Sequence, residues 1–222
     1  MNLAVFSVVK TVVLRLFPFA DQERLVIIWE QDTSRDSYLH EVSYPNFLDW
    51  HAQSESFAEM AAMGSTFWGR HRFVREDRPL SGAHRAVSHS FFDTLGVPAA
   101  LGRTFLPEDD ALGAPPVMVV SNQFWRTELG SDPDVVGKSL THIDEGPIRI
   151  VGVMPPEFDY PVGTDVWTPV GARLGQIFEA NAFTPAQRRS NVGWAYSLSS
   201  AASSRTSASR KRERSSRASC SD

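Results

Sequence analysis

Hydrophobic residues along this chain fall into short runs that polar turns separate, and three runs have the length and composition of buried strands. They are LVIIW at 25–29, VMVV at 117–120 and IRIVGV at 148–153. Continuous apolar runs of about four to eight residues, rich in β-branched side chains, are typical of strands that are buried on both faces. We therefore expect these three strands to be neighbours in one sheet.

Two hairpins are predicted from turn signals between weaker strand patterns. EDRP at 76–79 precedes a returning strand over 81–87, and DEG at 144–146 joins strands over 138–143 and 147–154. Clusters of Asp, Glu, Gly and Pro between apolar segments mark such turns.

Capping residues predict two helices in the first third of the chain. SYP at 43–45 combines a serine that can cap free N–H groups with a first-turn proline, which predicts a helix over 44–53. Ser56 and Glu59 form a capping-box pattern, so we expect a second short helix that stops at Gly64.

Three further helical segments are predicted after residue 88. Ser90 and Gly96 bracket a single helical turn that Ser90 should cap, and Ser121 should cap a helix over 121–129. Asp132-Pro133 predicts one more turn of helix. Because strands, helices and hairpins alternate, the pattern indicates an α+β fold with a mixed sheet.

Aromatic residues on two predicted helices are candidates for the core. Phe47 and Trp50 belong to the first helix, and Phe124 and Trp125 to the helix over 121–129. We expect both helices to cover the same sheet. Truncation of Trp125 to alanine should then cost about 3–5 kcal/mol, as large-to-small changes in a core do.

No catalytic, cofactor-binding or metal-binding set is predicted. His84 and His89 are five residues apart, which places their rings on opposite faces of a strand. The acidic run at 108–110 lacks the alternating oxygen ligands of a calcium loop, so we expect a solvated turn there. The other histidines, which complete no ligand motif, are His40, His51, His71 and His142.

Enzyme chemistry is not expected either. Ser88, His89 and Ser90 are consecutive but do not form a G-x-S-x-G nucleophile elbow, and a capping role explains Ser90 better. The sequence has no phosphate-binding loop of the G-x-x-x-x-G-K-[ST] type. The only cysteine, Cys220, excludes an intrachain disulfide and a thiolate zinc site.

Charge divides the chain into an acidic body and a basic tail. Residues 1–187 carry 14 basic and 24 acidic residues, whereas residues 188–222 carry 8 basic residues, 2 acidic residues and 12 serines. A segment without apolar runs cannot offset its ordering entropy, so we expect disorder from about residue 192. The tail could bind nucleic acid or an anionic membrane surface, or act as a solvated linker.

The N-terminal segment is apolar but short. Lys10 and Arg15 interrupt residues 3–19, which fall below the roughly 20 residues that span a bilayer. The segment also lacks the leading charge and cleavage site of a signal peptide. We expect residues 3–17 to form a helix that projects from the domain.

Five blocks of sequence carry a resemblance to a known family, and the similarity spans about residues 3–191. In chain order the blocks are VSYPNFLDW (42–50), FFDTLGVPAALGRTFLPEDD (91–110), VVSNQFW (119–125), DPDVVGKSL (132–140) and VGVMPPEFDYP (151–161). Together they resemble the extracytoplasmic core domain of MacB-type ABC-transporter permeases, especially the large bacterial orphan permeases.

The resemblance implies a MacB-like periplasmic core domain, with a mixed sheet covered by short helices. Such a domain stands outside the cell membrane between the first two transmembrane helices. There it couples ATP-driven movement to the handling of a substrate or partner, as in efflux. The implied partners are the remaining permease segments and a separate ATPase subunit, and a homodimer is compatible with the family. Nucleic acid and cofactors are not expected, and the family supplies no catalytic residues.

The resemblance also divides the chain. Residues 1–19 correspond to the stump of a transmembrane helix and residues 20–190 to the core domain, incomplete at its C-terminal end. Residues 191–222 match nothing in the family, and an out-of-frame reading of GC-rich DNA would give such a tail. On this interpretation the chain is a truncated permease fragment that does not transport alone. The alternative is a soluble binding protein that reuses the fold.

Overall fold

The structure is a computed structural model that describes residues 19, 24–28, 44–64, 69–172 and 196–200. The helix expected over 3–17 lies outside the described residues.

The described residues form ten strands, three short α-helices and a further stretch of helical residues at 170–172. The helices are α1 (Tyr44–Gln53), α2 (Phe91–Leu95) and α3 (Asn122–Thr127), and a 3-10 helix spans Pro107–Asp110. The α+β prediction is confirmed. The strands are β1 (Leu25–Ile28), β2 (Glu59–Met63), β3 (Gly69–Arg75), β4 (Arg78–Val87), β5 (Leu101–Gly102), β6 (Val117–Val120), β7 (Ser139–His142), β8 (Gly146–Val153), β9 (Val166–Pro169) and β10 (Tyr196–Ser200).

All ten strands belong to one mixed sheet. The path runs β1-β10-β2-β4-β3-β7-β8-β6-β9, and β5 pairs with β8. The pairs β6–β8 and β4–β9 are parallel, and the other pairs are antiparallel. Because β9 pairs with both β6 and β4, the strands β4, β3, β7, β8, β6 and β9 close into a ring, which we call the barrel. Strands β2, β10 and β1 extend the sheet from β4.

One buried cluster collects alternate side chains from all six strands of the barrel. This is the arrangement expected inside a closed sheet, where inward and outward positions alternate. Phe124 of α3 joins the same cluster. The strand residues are Phe73, Leu80, Met118, Val120, Leu140, Ile148, Ile150, Val153 and Val166.

A second cluster lies on the opposite face of the barrel strands, under α2. Its centre is Trp167 of β9, whose side chain is 0% exposed. The Trp167 ring lies 5.7 Å from Phe92 of α2 and 5.5 Å from Phe158, measured between centroids. Phe19 and Leu25 belong to this cluster, so the start of the described chain packs against the core.

The strongest local predictions are confirmed. The hairpin between β3 and β4 turns at Glu76 and Asp77, both with positive φ, as a two-residue turn requires. Ser121 caps α3, since its hydroxyl accepts a hydrogen bond from Phe124 N at 3.0 Å. The turn at 144–146 joins β7 and β8 as expected.

The prediction that the three apolar strands are neighbours in the sheet is only partly right. Strands β6 and β8 are adjacent, but β1 lies at the far end of the path, beside β10. Only Leu25 of β1 is fully buried, and the rest of the strand is half-buried. Apolar composition predicts burial but does not choose the strand partner.

The expectation that α1 and α3 pack on one layer is wrong. Phe47 of α1 contacts a third cluster around Met60 and Ala86, whereas Phe124 of α3 packs in the barrel. Trp125 is half-buried, and its Nε1 donates to the Asp132 carbonyl at 2.9 Å. The largest buried side chain is therefore Trp167, not Trp125.

The second short helix predicted from Ser56 is wrong, because Glu59–Met63 forms strand β2. β2 pairs with β10 and with β4, and Met60 and the three residues after it are all buried. Met and Ala favour helices, but pairing on both sides overrides this weak local preference. The helical turn predicted at Asp132-Pro133 is also wrong. There the Asp132 carboxylate accepts from Asp134 N at 3.0 Å and forms a turn.

The disorder predicted from residue 192 is wrong for residues 196–200, which form β10 between β1 and β2. The strand extends the sheet past the predicted boundary at residue 190. Main-chain hydrogen bonds hold a strand whatever its side chains, so a serine-rich composition does not exclude one. The rest of the tail lies outside the described residues.

Candidate functional site

Asp110 connects three separate parts of the domain. Its side chain is buried, with the residue 9% exposed. Oδ2 accepts hydrogen bonds from Tyr44 Oη at 3.1 Å and from His89 N at 3.0 Å, and Oδ1 accepts from Gly171 N at 2.6 Å. One carboxylate therefore links α1, the start of α2 and the segment that follows β9.

The surroundings of Asp110 shift the pKa values of its neighbours. Burial, followed by the charge of Asp110, raises the pKa of the Tyr44 hydroxyl well above its usual range. The hydrogen bond to Asp110 raises the pKa of His89, whose Nδ1 lies 3.4 Å from Oδ2. A Cβ atom on Gly171 would lie 1.9 Å from the Asp110 carbonyl oxygen, so only glycine permits this approach.

Asp109, the neighbour of Asp110 in the chain, is also buried and forms an ion pair with Arg103. Its carboxylate accepts two hydrogen bonds from the Arg103 guanidinium, at 2.5 and 3.1 Å, and one from Leu106 N at 2.8 Å. Burial acts to raise the pKa of Asp109, but the hydrogen bonds from Arg103 and Leu106 outweigh it, so the pKa is lowered.

The prediction of a solvated acidic turn at 108–110 is therefore wrong. Asp109 and Asp110 are 7% and 9% exposed, and each has hydrogen-bond donors that offset its burial. The donors to Asp110 come from residues as far as 66 positions away in the sequence, a separation that no local pattern reveals.

The serines beside His89 connect β2 to α2. Ser88 Oγ accepts from Ala62 N at 2.9 Å, and Ser90 Oγ donates to the Met60 carbonyl at 2.7 Å. The two hydroxyls lie 3.0 Å apart. The predicted capping role of Ser90 is wrong, since its side chain makes no cap hydrogen bond and instead bonds β2.

Three histidines meet at one end of the barrel. His71 Nδ1 and His142 Nε2 are 3.0 Å apart, and the rings of His71 and His84 are 4.3 Å apart between centroids. His84 Nε2 lies 2.7 Å from Thr168 Oγ1. His84 and His142 are buried, and His71 is half-buried. We call His71, His84 and His142 the histidine cluster.

No local pattern in the sequence indicates this cluster. Its members come from β3, β4 and β7, and only strand pairing unites them: Gly69 pairs with His84 and Phe73 with His142. His84 and His89 lie apart, as predicted: His84 belongs to the histidine cluster, whereas His89 contacts Asp110. His51 bonds Glu59 at 2.9 Å, away from the cluster, and His40 lies outside the described residues.

The first and last described strands, β1 and β10, pair with each other, and we call this strand pair the joint tether. Leu25 pairs with Ser200 and Ile28 with Ser197 in the antiparallel pair β1–β10. Leu25 and Ser200 therefore lie side by side at the same end of the sheet. Phe19 lies just before this point, and its ring is 5.3 Å from Tyr160 and 6.2 Å from Phe158.

A sequence model described as the MacB-like periplasmic core domain matches residues 1–210. The chain belongs to the MacB-like periplasmic core domain family. Membership makes it a periplasmic domain of a MacB-like ABC transporter and implies an extracytoplasmic location. Within the described residues, no helix is long and apolar enough to cross a membrane.

Solved structures of MacB-like domains share the fold. The periplasmic region of MacB from Actinobacillus actinomycetemcomitans is 12% identical over 89% of this chain and 82% of that chain, with a TM-score of 0.57. A domain of a putative permease protein from Porphyromonas gingivalis is 17% identical, over 85% and 79% of the two chains, with a TM-score of 0.56.

The extracellular domain of the noncanonic ABC-type transporter YknZ from Gram-positive bacteria is 11% identical to this MacB-like chain. The match covers 81% of this chain and 84% of that chain, with a TM-score of 0.54. Comparison with curated proteins gave no match. At these identities the structural matches show the fold alone.

Proposed function

We propose that this MacB-like domain transmits ATP-driven movement from the membrane to a substrate or a partner protein outside it. The domain itself carries out no chemistry in this proposal. A separate ATPase subunit and the remaining permease segments supply the energy and the membrane path, and export of the substrate is the expected direction.

The joint tether is the observation that carries the proposal. Since Leu25 and Ser200 lie side by side, membrane segments joined to the chain before Leu25 and after Ser200 would pull on the domain at one point. A displacement applied there reaches β2 through β10 and then β4 of the barrel, along continuous strand pairing. Paired strands resist stretching, so they can carry such a displacement.

Phe19 provides a second contact between the tether and the core. Its ring packs on Phe158 and Tyr160, and Phe158 packs in turn on the buried Trp167. Phe19 is 6% exposed, so it cannot move without disturbing these partners. Displacement of the N-terminal flank should therefore shift the residues of the second cluster as well as the strands of the sheet.

The location of the domain is tested by labelling one introduced cysteine. Val162 is 70% exposed, so the variant V162C, with Cys220 replaced by serine, presents a single accessible thiol. A membrane-impermeant maleimide should label this thiol on intact spheroplasts that express the protein from its native gene. V117C, at a site that is 2% exposed, is the control and should stay unlabelled.

Two results of the labelling experiment would contradict the proposal. One is labelling of V162C only after the cells are lysed, which would indicate an internal location. The other is recovery of the labelled protein in the soluble fraction, which would favour the binding protein that reuses the fold.

A further inference from the structure

We propose that His71, His142 and Glu145 bind a divalent transition-metal ion of the Zn²⁺ class at one end of the barrel. One ligand atom from each of the three side chains lies within 4.8 Å of the other two. His71 Nδ1 and His142 Nε2 are 3.0 Å apart. Two nitrogens that each lie about 2.0–2.1 Å from a tetrahedral ion are about 3.3–3.4 Å apart, so the two rings need to separate by only a few tenths of an ångström.

The kinds of ligand select the class of ion. Two imidazoles and one carboxylate are a donor set of zinc sites that keep a fourth position for water. Calcium and magnesium prefer oxygen ligands throughout, so two imidazoles argue against them. The geometry therefore favours Zn²⁺ or a neighbouring ion such as Co²⁺ or Ni²⁺.

The barrel holds two of the ligands on adjacent strands. Phe73 of β3 pairs with His142 of β7, and His71 lies two residues before Phe73 on the same face of the strand. The two imidazoles are thus diagonal neighbours across one strand pair. His84 packs against His71, and its hydrogen bond with Thr168 holds it there, which helps to orient the His71 ring.

An ion can reach this place from the solvent. Glu145 lies in the turn between β7 and β8 and is half-buried, as is His71. A cavity of about 20 Å³, lined by Glu145 but by neither histidine, is large enough for one water molecule next to this carboxylate.

Binding of the ion would change the tautomer of His142. In the structure Asp144 N donates to His142 Nδ1 at 3.2 Å, so Nε2 carries the proton and donates to His71 Nδ1. An ion that takes both nitrogens replaces this hydrogen bond, and the His142 proton moves from Nε2 to Nδ1. The Asp144 amide must then turn away, which moves the same turn that carries Glu145.

The test begins with the full 222-residue chain, which is first treated with a chelator and freed of it. ZnCl₂ is then titrated into the protein, and isothermal titration calorimetry measures the binding. One ion per chain is expected to bind. His71→Ala and Glu145→Gln should each weaken binding by at least ~10-fold, because even the loss of an outer-shell partner has this effect on metal sites. His51→Ala is the matched control, since it removes a histidine that pairs with a glutamate elsewhere.

A spectrum and a folding check complete the test. Co²⁺ bound to the wild type should show the strong visible bands of a four-coordinate ion, and Glu145→Gln should change them. Thermal unfolding shows whether each variant still folds. If His71→Ala does not fold, Glu145→Gln still tests the proposal, because Glu145 is only half-buried. The proposal is overturned by a lack of saturable binding. It is also overturned by Glu145→Gln binding as tightly as the wild type, or by His51→Ala weakening it equally.

Discussion

Replacement of Asp110 by alanine should lower the free energy of unfolding by about 3–5 kcal/mol, as the loss of one partner from a buried charged network does. The change leaves Tyr44 Oη, His89 N and Gly171 N without their common acceptor. Urea unfolding of the full chain measures the effect. Asp134→Ala is the control, because Asp134 is exposed and its loss should change stability by less than about 0.5 kcal/mol.

Asp110→Asn tests whether the stability contributed by Asp110 depends on pH. Asp110 raises the pKa of His89 above its unfolded value, so the stabilisation is fully present below the unfolded pKa. It is lost as the pH rises through the folded pKa. As the pH rises above about 6.5, the usual pKa of a histidine, the wild type should therefore lose stability that the asparagine variant does not lose. Parallel pH profiles for the two proteins, or an alanine variant as stable as the wild type, would contradict the role of Asp110.

Trp167→Ala should also cost about 3–5 kcal/mol, since it removes the largest fully buried side chain and leaves a cavity among Phe92 and Phe158. Trp125→Ala should cost clearly less, because Trp125 is only half-buried. Both costs are measured by the same urea titrations.

Trp167→Phe separates packing from hydrogen bonding. Among the described residues, the buried Trp167 Nε1 has no hydrogen-bond partner. Phenylalanine keeps much of the ring volume and removes this unpaired donor, so it should cost far less than alanine. A Trp125→Ala variant that loses as much stability as Trp167→Ala would show that the centre of the core has been misplaced.

Features governed by local physics could be predicted from the sequence. The hairpin at Glu76 and Asp77, the cap at Ser121 and the adjacent apolar strands β6 and β8 depend on neighbours within a few residues. The α+β class follows from the alternation of such elements. Turn geometry, capping and burial are all visible in short windows of sequence.

Features governed by distant partners could not be predicted. Strand β2 is a strand because β4 and β10 lie on either side of it, although its residues favour a helix. Asp110 is buried because Tyr44 and Gly171 supply donors from both ends of the domain. The histidine cluster exists only once β3, β4 and β7 are paired. In each case the deciding interaction joins residues far apart in the sequence.

Transmission of movement through the tether is measured most directly with an environment-sensitive dye on V162C, in the Cys220→Ser background. The permease is reconstituted with its ATPase, and ATP is added. Fluorescence should change on ATP addition in the parent protein and in Leu112→Ala, a control at an exposed apolar residue. The change should be strongly reduced in Phe19→Ala, which breaks the contact with Phe158 and Tyr160. No response to ATP in the parent, or a full response in a folded Phe19→Ala variant, would contradict the account.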